Sequence, residues 1–171
     1  MSKPVLYLFV GYPGAGKTTI ARIIAQATDA VHLWADDERH TMFKNPTHTK
    51  EESQTLYAHL NQITEDLLAE GKSVVFDTNF NYLADREHLR KIAIRHGAAV
   101  KTIWVTTPVD FARKRATEQS DDQETRIWGN MSAEAFDRMS NRLQPPSDYE
   151  HAIEIDGTDI DEQAVKAQLE I

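Results

Sequence analysis

The stretch FVGYPGAGKTTIA, residues 9–21, sets three glycines and a proline between an apolar run and a helix-like run. Glycine is costly inside regular structure, so gathering it over six residues marks a place where backbone turns tightly and approaches a ligand closely. Gly11-Tyr12-Pro13-Gly14-Ala15-Gly16-Lys17-Thr18 satisfies G-x-x-x-x-G-K-[ST] in full. A strand-like run precedes it and a helix-like run follows, which is the context the pattern requires. Amides of such a loop and of the helix start point at phosphate oxygens, where the helix dipole also favours negative charge. Gly11, Pro13, Gly14, Ala15 and Gly16 are expected to shape the cradle. Lys17 is expected to reach the β- and γ-phosphates, and the Thr18 hydroxyl to ligate Mg²⁺. Thr19 supports the helix start and joins the same nucleotide-binding set.

Working outward, strand-like and helix-like segments alternate, which predicts an α/β protein in three layers with a parallel sheet covered on both faces. Strands are read at 5–10, 31–35, 73–77, 100–107 and 151–155. Helices are read at 18–28, 49–71 and from Leu83 to near Gly97, then at 109–118, from Ser132 to about Leu143, and from Ile160 to Leu169. Leu56, Leu60, Ile63 and Leu67 mark one face of the long helix that Gly71 stops. Residues 119–130 are polar and break the rhythm, as a closing lid does. No interdomain linker or repeat is visible, so residues 1–171 read as a single domain.

No apolar run approaches the ~20 residues that cross a bilayer, and cysteine is absent. Both fit a cytoplasmic protein. The net charge is −8, yet eight acids against Lys166 fall after residue 146, leaving 18 bases and 19 acids before it. A local basic groove is therefore compatible with the total.

The remaining polar residues narrow the chemistry. A guanine-reading N-K-x-D is missing, and Thr78 follows Asp77 where motor ATPases use glutamate, so a small phosphoryl-transfer enzyme is expected. In WADDER (34–39), Asp36 lies at the carboxyl end of a strand, where such sheets bind ligands. It is placed to take the proton of an attacking hydroxyl, with Arg39 to hold an acceptor phosphate and Asp37 as a helix-start residue. In VVFDTNFN (74–81), Asp77 is expected to serve Mg²⁺ or the acceptor, and Asn79 and Asn81 to orient substrate. In FARKRATEQSDDQETR (111–126), Arg115 and Arg126 are the cations expected at the migrating phosphoryl group. Arg86, Arg90, Lys91 and Arg95 read as a solvated basic face.

With these motifs in this order, the sequence resembles the small P-loop kinases related to bacteriophage polynucleotide 5′-kinase and the zeta-toxin-like kinases. The resemblance covers nearly the whole chain; the runs Asp36–Arg39 and Asp77–Asn81 speak for the polynucleotide-kinase branch. It implies a five-stranded parallel sheet with the phosphate-loop strand central, and adenine between the lid's base and residues 156–158. It also implies ATP and Mg²⁺ as cofactors, Asp36 as general base, Arg39 on the acceptor's phosphate, Asp77 by the acceptor and metal, and lid arginines on the transferred group. Relatives carry Arg-x-x-x-Arg at the lid, whereas Gln119 stands four residues after Arg115 here; Arg126 is the other candidate. The expected activity is γ-phosphoryl transfer to a hydroxyl, the 5′-hydroxyl of a nucleic acid or nucleoside. The alternatives are a small-molecule or nucleotide-sugar kinase and a nucleotide-binding module with little turnover.

Overall fold

Alternate residues of a strand face opposite sides of its sheet, and β1 (Val5–Val10) is buried on both. Leu6 and Leu8 enter one core with Val74 and Phe76, while Tyr7 and Phe9 enter another with Val75. Such doubly covered strands read as continuous apolar runs. The computed structural model describes residues 2–118, 127 and 129–171. Its sheet comprises β1, β2 (Val31–Trp34), β3 (Val74–Asp77), β4 (Ala99–Val105) and β5 (Ile153–Ile155). The order is β2-β3-β1-β4-β5 and every pairing is parallel. The five-stranded parallel sheet with the glycine-rich loop after its central strand is thus as expected.

Seven helices of the described residues complete the layers. On one face lie α3 (Lys50–Ala69) and α4 (Leu83–Arg95), which supply Leu56, Leu60, Leu68, Leu89 and Ile92 to the first core. On the other lie α1 (Lys17–Thr28) and α7 (Glu162–Leu169), which supply Ile20, Ile24, Val165 and Leu169 to the second. The rest are α2 (Ala35–Met42), α5 (Val109–Glu118) and α6 (Ala133–Ser140).

Several boundaries shift for local reasons. The second strand stops at Trp34 because Ala35 already begins α2. In α3 the buried stripe runs Leu56, Leu60, Thr64, Leu68, with Ile63 and Leu67 only partly covered. Thr64 tolerates full burial because its hydroxyl donates to the Leu60 carbonyl at 2.9 Å. Ser132 caps α6, its side chain accepting from the Ala135 amide, and the helix ends at Ser140, three residues early. Residues 148–150 form a 3-10 turn, which shortens β5 to Ile153–Ile155. Among the described residues, no helix is long and apolar enough to cross a membrane.

The basic face read on α4 needs correction at one residue. Arg86 is fully buried. Its Nε and Nη2 donate to Glu150 Oε1 at 2.7 Å and Oε2 at 3.1 Å, and Nη1 donates to the Phe80 carbonyl at 2.7 Å. Glu150 also accepts from the Ser147 amide at 2.8 Å. This pair fastens α4 to the segment before β5 and to the polar run after β3. Burial pushes the Glu150 carboxyl up, but hydrogen bonds from Arg86 and Ser147 outweigh it and hold the group below its ordinary 4.5.

Removing one partner of a buried pair strands the other charge and costs about 3–5 kcal/mol. Glu150→Gln is therefore expected to lower the unfolding free energy at pH 7 by about 3 kcal/mol in urea titrations. Because the folded value is depressed, the carboxylate's contribution is complete above 4.5 and is lost as pH falls through the lowered folded value. The two proteins should converge in acid; equal stability at pH 7 would refute the assignment.

Candidate active site

Beyond the carboxyl ends of β1, β2 and β3 lies a cleft of about 1270 Å³ lined by residues of the glycine-rich loop and of α2, α3, α5 and α6. Single-ligand pockets run to roughly 1,000 Å³, so this one has room for two molecules side by side. Pro13, Gly14, Gly16, Lys17, Thr18 and Thr19 form one wall. Gly11 and Ala15, expected in the same set, are buried and brace the loop. The Gly11 amide donates to Asn81 Oδ1 at 3.4 Å, and the Ala15 carbonyl accepts from Thr107 Oγ1 at 2.7 Å. Asn81 is thereby corrected from a substrate-orienting residue to a support: its carbonyl accepts from the Gln144 amide at 2.7 Å.

Glycine is demanded at two positions by backbone that passes close by. A Cβ on Gly14, where φ is +78°, would lie 2.4 Å from the Ala112 carbonyl oxygen of α5. A Cβ on Gly157, in the loop after β5, would lie 1.9 Å from the Ala15 carbonyl oxygen. The loop is thus shaped from outside, by α5 and by residues 156–158.

Lys17 is buried and folded onto its own loop, donating to the carbonyls of Gly11 at 3.0 Å and Tyr12 at 2.5 Å. Burial lowers its pKa from 10.5 to about 8, against the opposing pull of Asp77 and Asp36. Asp77 closes β3 and is buried. Its Oδ1 accepts from Thr18 Oγ1 at 3.3 Å, and its Oδ2 lies 3.0 Å from His32 Nε2. The His32 ring stacks on Trp34, whose indole also carries the Arg22 guanidinium 5.5 Å from its centroid. A hydroxyl and a carboxylate oxygen side by side suit a hard cation such as Mg²⁺.

Asp36 also lines the cleft, in the first turn of α2 and close enough to Lys17 to act on its charge. Asp37 is exposed in that same turn, as a helix-start residue. Arg39 lines the cleft but is buried, its Nη1 bonded to Glu52 Oε1 and its Nη2 donating to Ser53 Oγ at 3.1 Å. Hydrogen bonds from Thr47 and His48 also converge on Glu52, so the pair ties the 43–49 connection to α2. Asn79 lines the cleft beside Thr78, whose hydroxyl lies 2.6 Å from that of Tyr57. Burial raises the Tyr57 pKa, with the Thr78 hydrogen bond opposing it.

Arg115 faces the loop after β5, donating to the carbonyls of Gly157 and Thr158 at 2.7 Å each, and its guanidinium lies 4.5 Å from the Phe111 ring centroid. Burial lowers its pKa, with Asp156 opposing. Arg126 and most of the lid expected at 119–130 lie outside the described residues.

The sequence reading missed Tyr57, His32, Gly157, Arg138 and Arg142. His32 stands four residues before Asp36 on the strand that pairs Trp34 with Asp77, a neighbourhood that only the sheet order reveals. Arg138 and Arg142 line the cleft from α6 and the turn that follows; their spacing of four was the one available signal.

Since phosphate pairs with the protonated amine, nucleotide binding must keep Lys17 charged. Affinity for Mg²⁺·AMPPNP is expected to hold steady as pH rises towards 8 and then weaken by up to about tenfold per pH unit, with proton uptake. Calorimetry in two buffers of different ionisation enthalpy measures both. A flat profile to pH 9.5 with no proton uptake, at about a unit and a half above the Lys17 value, would contradict it.

Many solved structures share this fold, three of them as follows. A candidate kinase from Chloroflexus aurantiacus superposes with a TM-score of 0.77 at 20% identity, covering 99% of this chain and 96% of that one. Mycobacterium tuberculosis APS kinase CysC, in complex with AMPPNP and APS, gives 0.67 at 16% identity with both chains fully covered. A chain of the Pnkp1/Rnl/Hen1 RNA repair complex gives 0.68 at 22%, over 88% of this chain and 46% of that one. No curated protein sequence matches the chain. The model of the AAA_33 family, an AAA domain, matches residues 6–146, from β1 past the phosphate loop, Asp36 and Asp77 to the turn after α6, and the chain belongs to that family.

Proposed function

We propose that the protein is an ATP- and Mg²⁺-dependent kinase that transfers the γ-phosphoryl group to a hydroxyl, the 5′-hydroxyl of a nucleic acid or nucleoside. The observation that supports this best is the presence, in one cleft, of the Lys17–Thr18–Asp77 cluster and of Asp36 within electrostatic reach of Lys17. The loop amides and Lys17 hold the triphosphate. Lys17 exchanges the carbonyls of Gly11 and Tyr12 for phosphate oxygens. Thr18 and Asp77 would hold Mg²⁺, which neutralises charge on the β- and γ-oxygens when bound.

Asp36 accepts the proton of the acceptor hydroxyl as its oxygen bonds to the γ-phosphorus and the bond to the β-bridging oxygen breaks, releasing ADP. Tyr57, Thr78 and Asn79 supply hydrogen bonds to the acceptor on the Asp36 side. Arg115, held by Gly157 and Thr158, forms one side of the base site, and Arg115 and Arg126 are the two candidate cations for the transferred group. A small-molecule acceptor is the second reading. It is favoured by Arg39, whose fork is taken up by Glu52 and Ser53 rather than open to a backbone phosphate.

Incubation with γ-labelled ATP and a panel of alcohols, 5′-hydroxyl oligonucleotides and nucleosides included, tests the reading. Salt separates the two acceptors, since polynucleotide binding weakens steeply with ionic strength. Asp36→Asn is expected to keep the KM for ATP and to lose about 10²–10⁴ in kcat, while Lys17→Ala abolishes transfer. An Asp36→Asn enzyme of near-normal kcat would remove Asp36 as base, and no labelled acceptor from any alcohol would favour a binding module.

A further inference from the structure

Ala135, Arg138 and Met139 of α6 line the cleft, and so does Arg142 from the turn that follows. The opposite side of α6 is anchored: Phe136 is buried against Ala112 and Ala116, with Tyr12 packed beside it. Both ends are fixed as well. The Met131 amide donates to the Ala116 carbonyl at 3.0 Å. Downstream, the Gln144 amide donates to Asn81 and Gln144 Oε1 accepts from the Leu83 amide, both at 2.7 Å. Two arginines four residues apart are therefore held in place over the cleft.

Both guanidiniums are exposed, and among the described residues neither is in an ion pair. Of the two acids on α6, Asp137 pairs with Arg113 at 3.2 Å, and Glu134, four residues before Arg138, forms no ion pair with it among the described residues. In a chain of net charge −8, two unpaired arginines on a cleft wall mark a local demand for negative charge. The other cations of the cleft have assignments. Lys17 belongs to the triphosphate, Arg39 is bonded to Glu52 and Ser53, and Arg115 to Gly157 and Thr158.

We infer that Arg138 and Arg142 form an oxyanion clamp for the acceptor, so that the preferred acceptor is an alcohol that also carries a phosphate group. The inference rests on the kinase reading above and names its acceptor class. Planar guanidiniums suit this task because each presents a fork of donors to phosphate oxygens. A clamp remote from the reacting hydroxyl orients the acceptor, which lowers the entropy lost on reaching the transition state. The other source of the same chemistry is the donor's own terminal phosphate.

The test saturates the protein with Mg²⁺·AMPPNP, which fills the loop, and titrates it with glycerol 3-phosphate or glycerol by calorimetry. Wild type should bind glycerol 3-phosphate and give no measurable binding of glycerol. R138Q/R142Q should weaken glycerol 3-phosphate about tenfold or more while holding AMPPNP affinity within twofold. Both side chains are exposed, so the fold should tolerate the change, and an unaltered urea midpoint checks this. Equal binding of the two probes by wild type, or undiminished glycerol 3-phosphate binding by the variant, overturns the clamp. A variant that loses AMPPNP instead assigns the arginines to the donor and overturns it too. Wild type that fails to bind Mg²⁺·AMPPNP overturns the kinase reading, and the clamp with it.

Discussion

The phosphate loop keeps its shape because two other stretches of backbone lie against it where side chains are missing. The Ala112 carbonyl reaches the flank of Gly14, and the Gly157 backbone reaches the Ala15 carbonyl, at distances no Cβ would permit. The Thr107 hydroxyl holds that same carbonyl from below, and Asn81 holds the Gly11 amide. A row of main-chain amides binds phosphate well only if it is preorganised. Here the organising contacts come from α5, β3's extension and the loop after β5, so the nucleotide site is a property of the whole sheet edge.

The same economy of contacts arranges the rest of the cleft. Asn81 touches the phosphate loop with its side chain and the segment after α6 with its carbonyl. Arg86, one turn into α4, anchors that segment through Glu150 and Pro145. Asp77 is held by Thr18 on one oxygen and by His32 on the other. The phosphate loop, the end of β3 and the segment after α6 are thus linked by polar bonds, which are costly to leave unmade where the interior has a low dielectric.

Local patterns carried most of the architecture. The β1 run and the eight-residue motif after it are contiguous, so their meaning needed no partner, and the alternation of segments was enough for a parallel sheet. Asp36 and Asp77 were legible because strand ends in such sheets face the ligand. What stayed hidden depended on partners far along the chain. Arg86 looked like one of four surface bases until Glu150, 64 residues away, took its charge. Gly157 stood only within the 156–158 loop expected at the adenine, and nothing local showed that the Ala15 carbonyl lies against it. Arg39 looked open because Glu52 lies on the next helix. Arg138 and Arg142 went unread because nothing local says which side of α6 meets the cleft.

The central claim is that an externally braced cradle of amides binds the triphosphate, and substitution of Gly157 probes the brace without touching a ligand-contacting side chain. Calorimetric titration of wild type and Gly157→Ala with Mg²⁺·ATP is the direct measurement. Wild type should bind, and the variant should bind at least about tenfold more weakly, since displaced amides lose charge-assisted hydrogen bonds although Lys17 and Thr18 remain. Equal affinities, or no binding heat in wild type across temperatures, would contradict it.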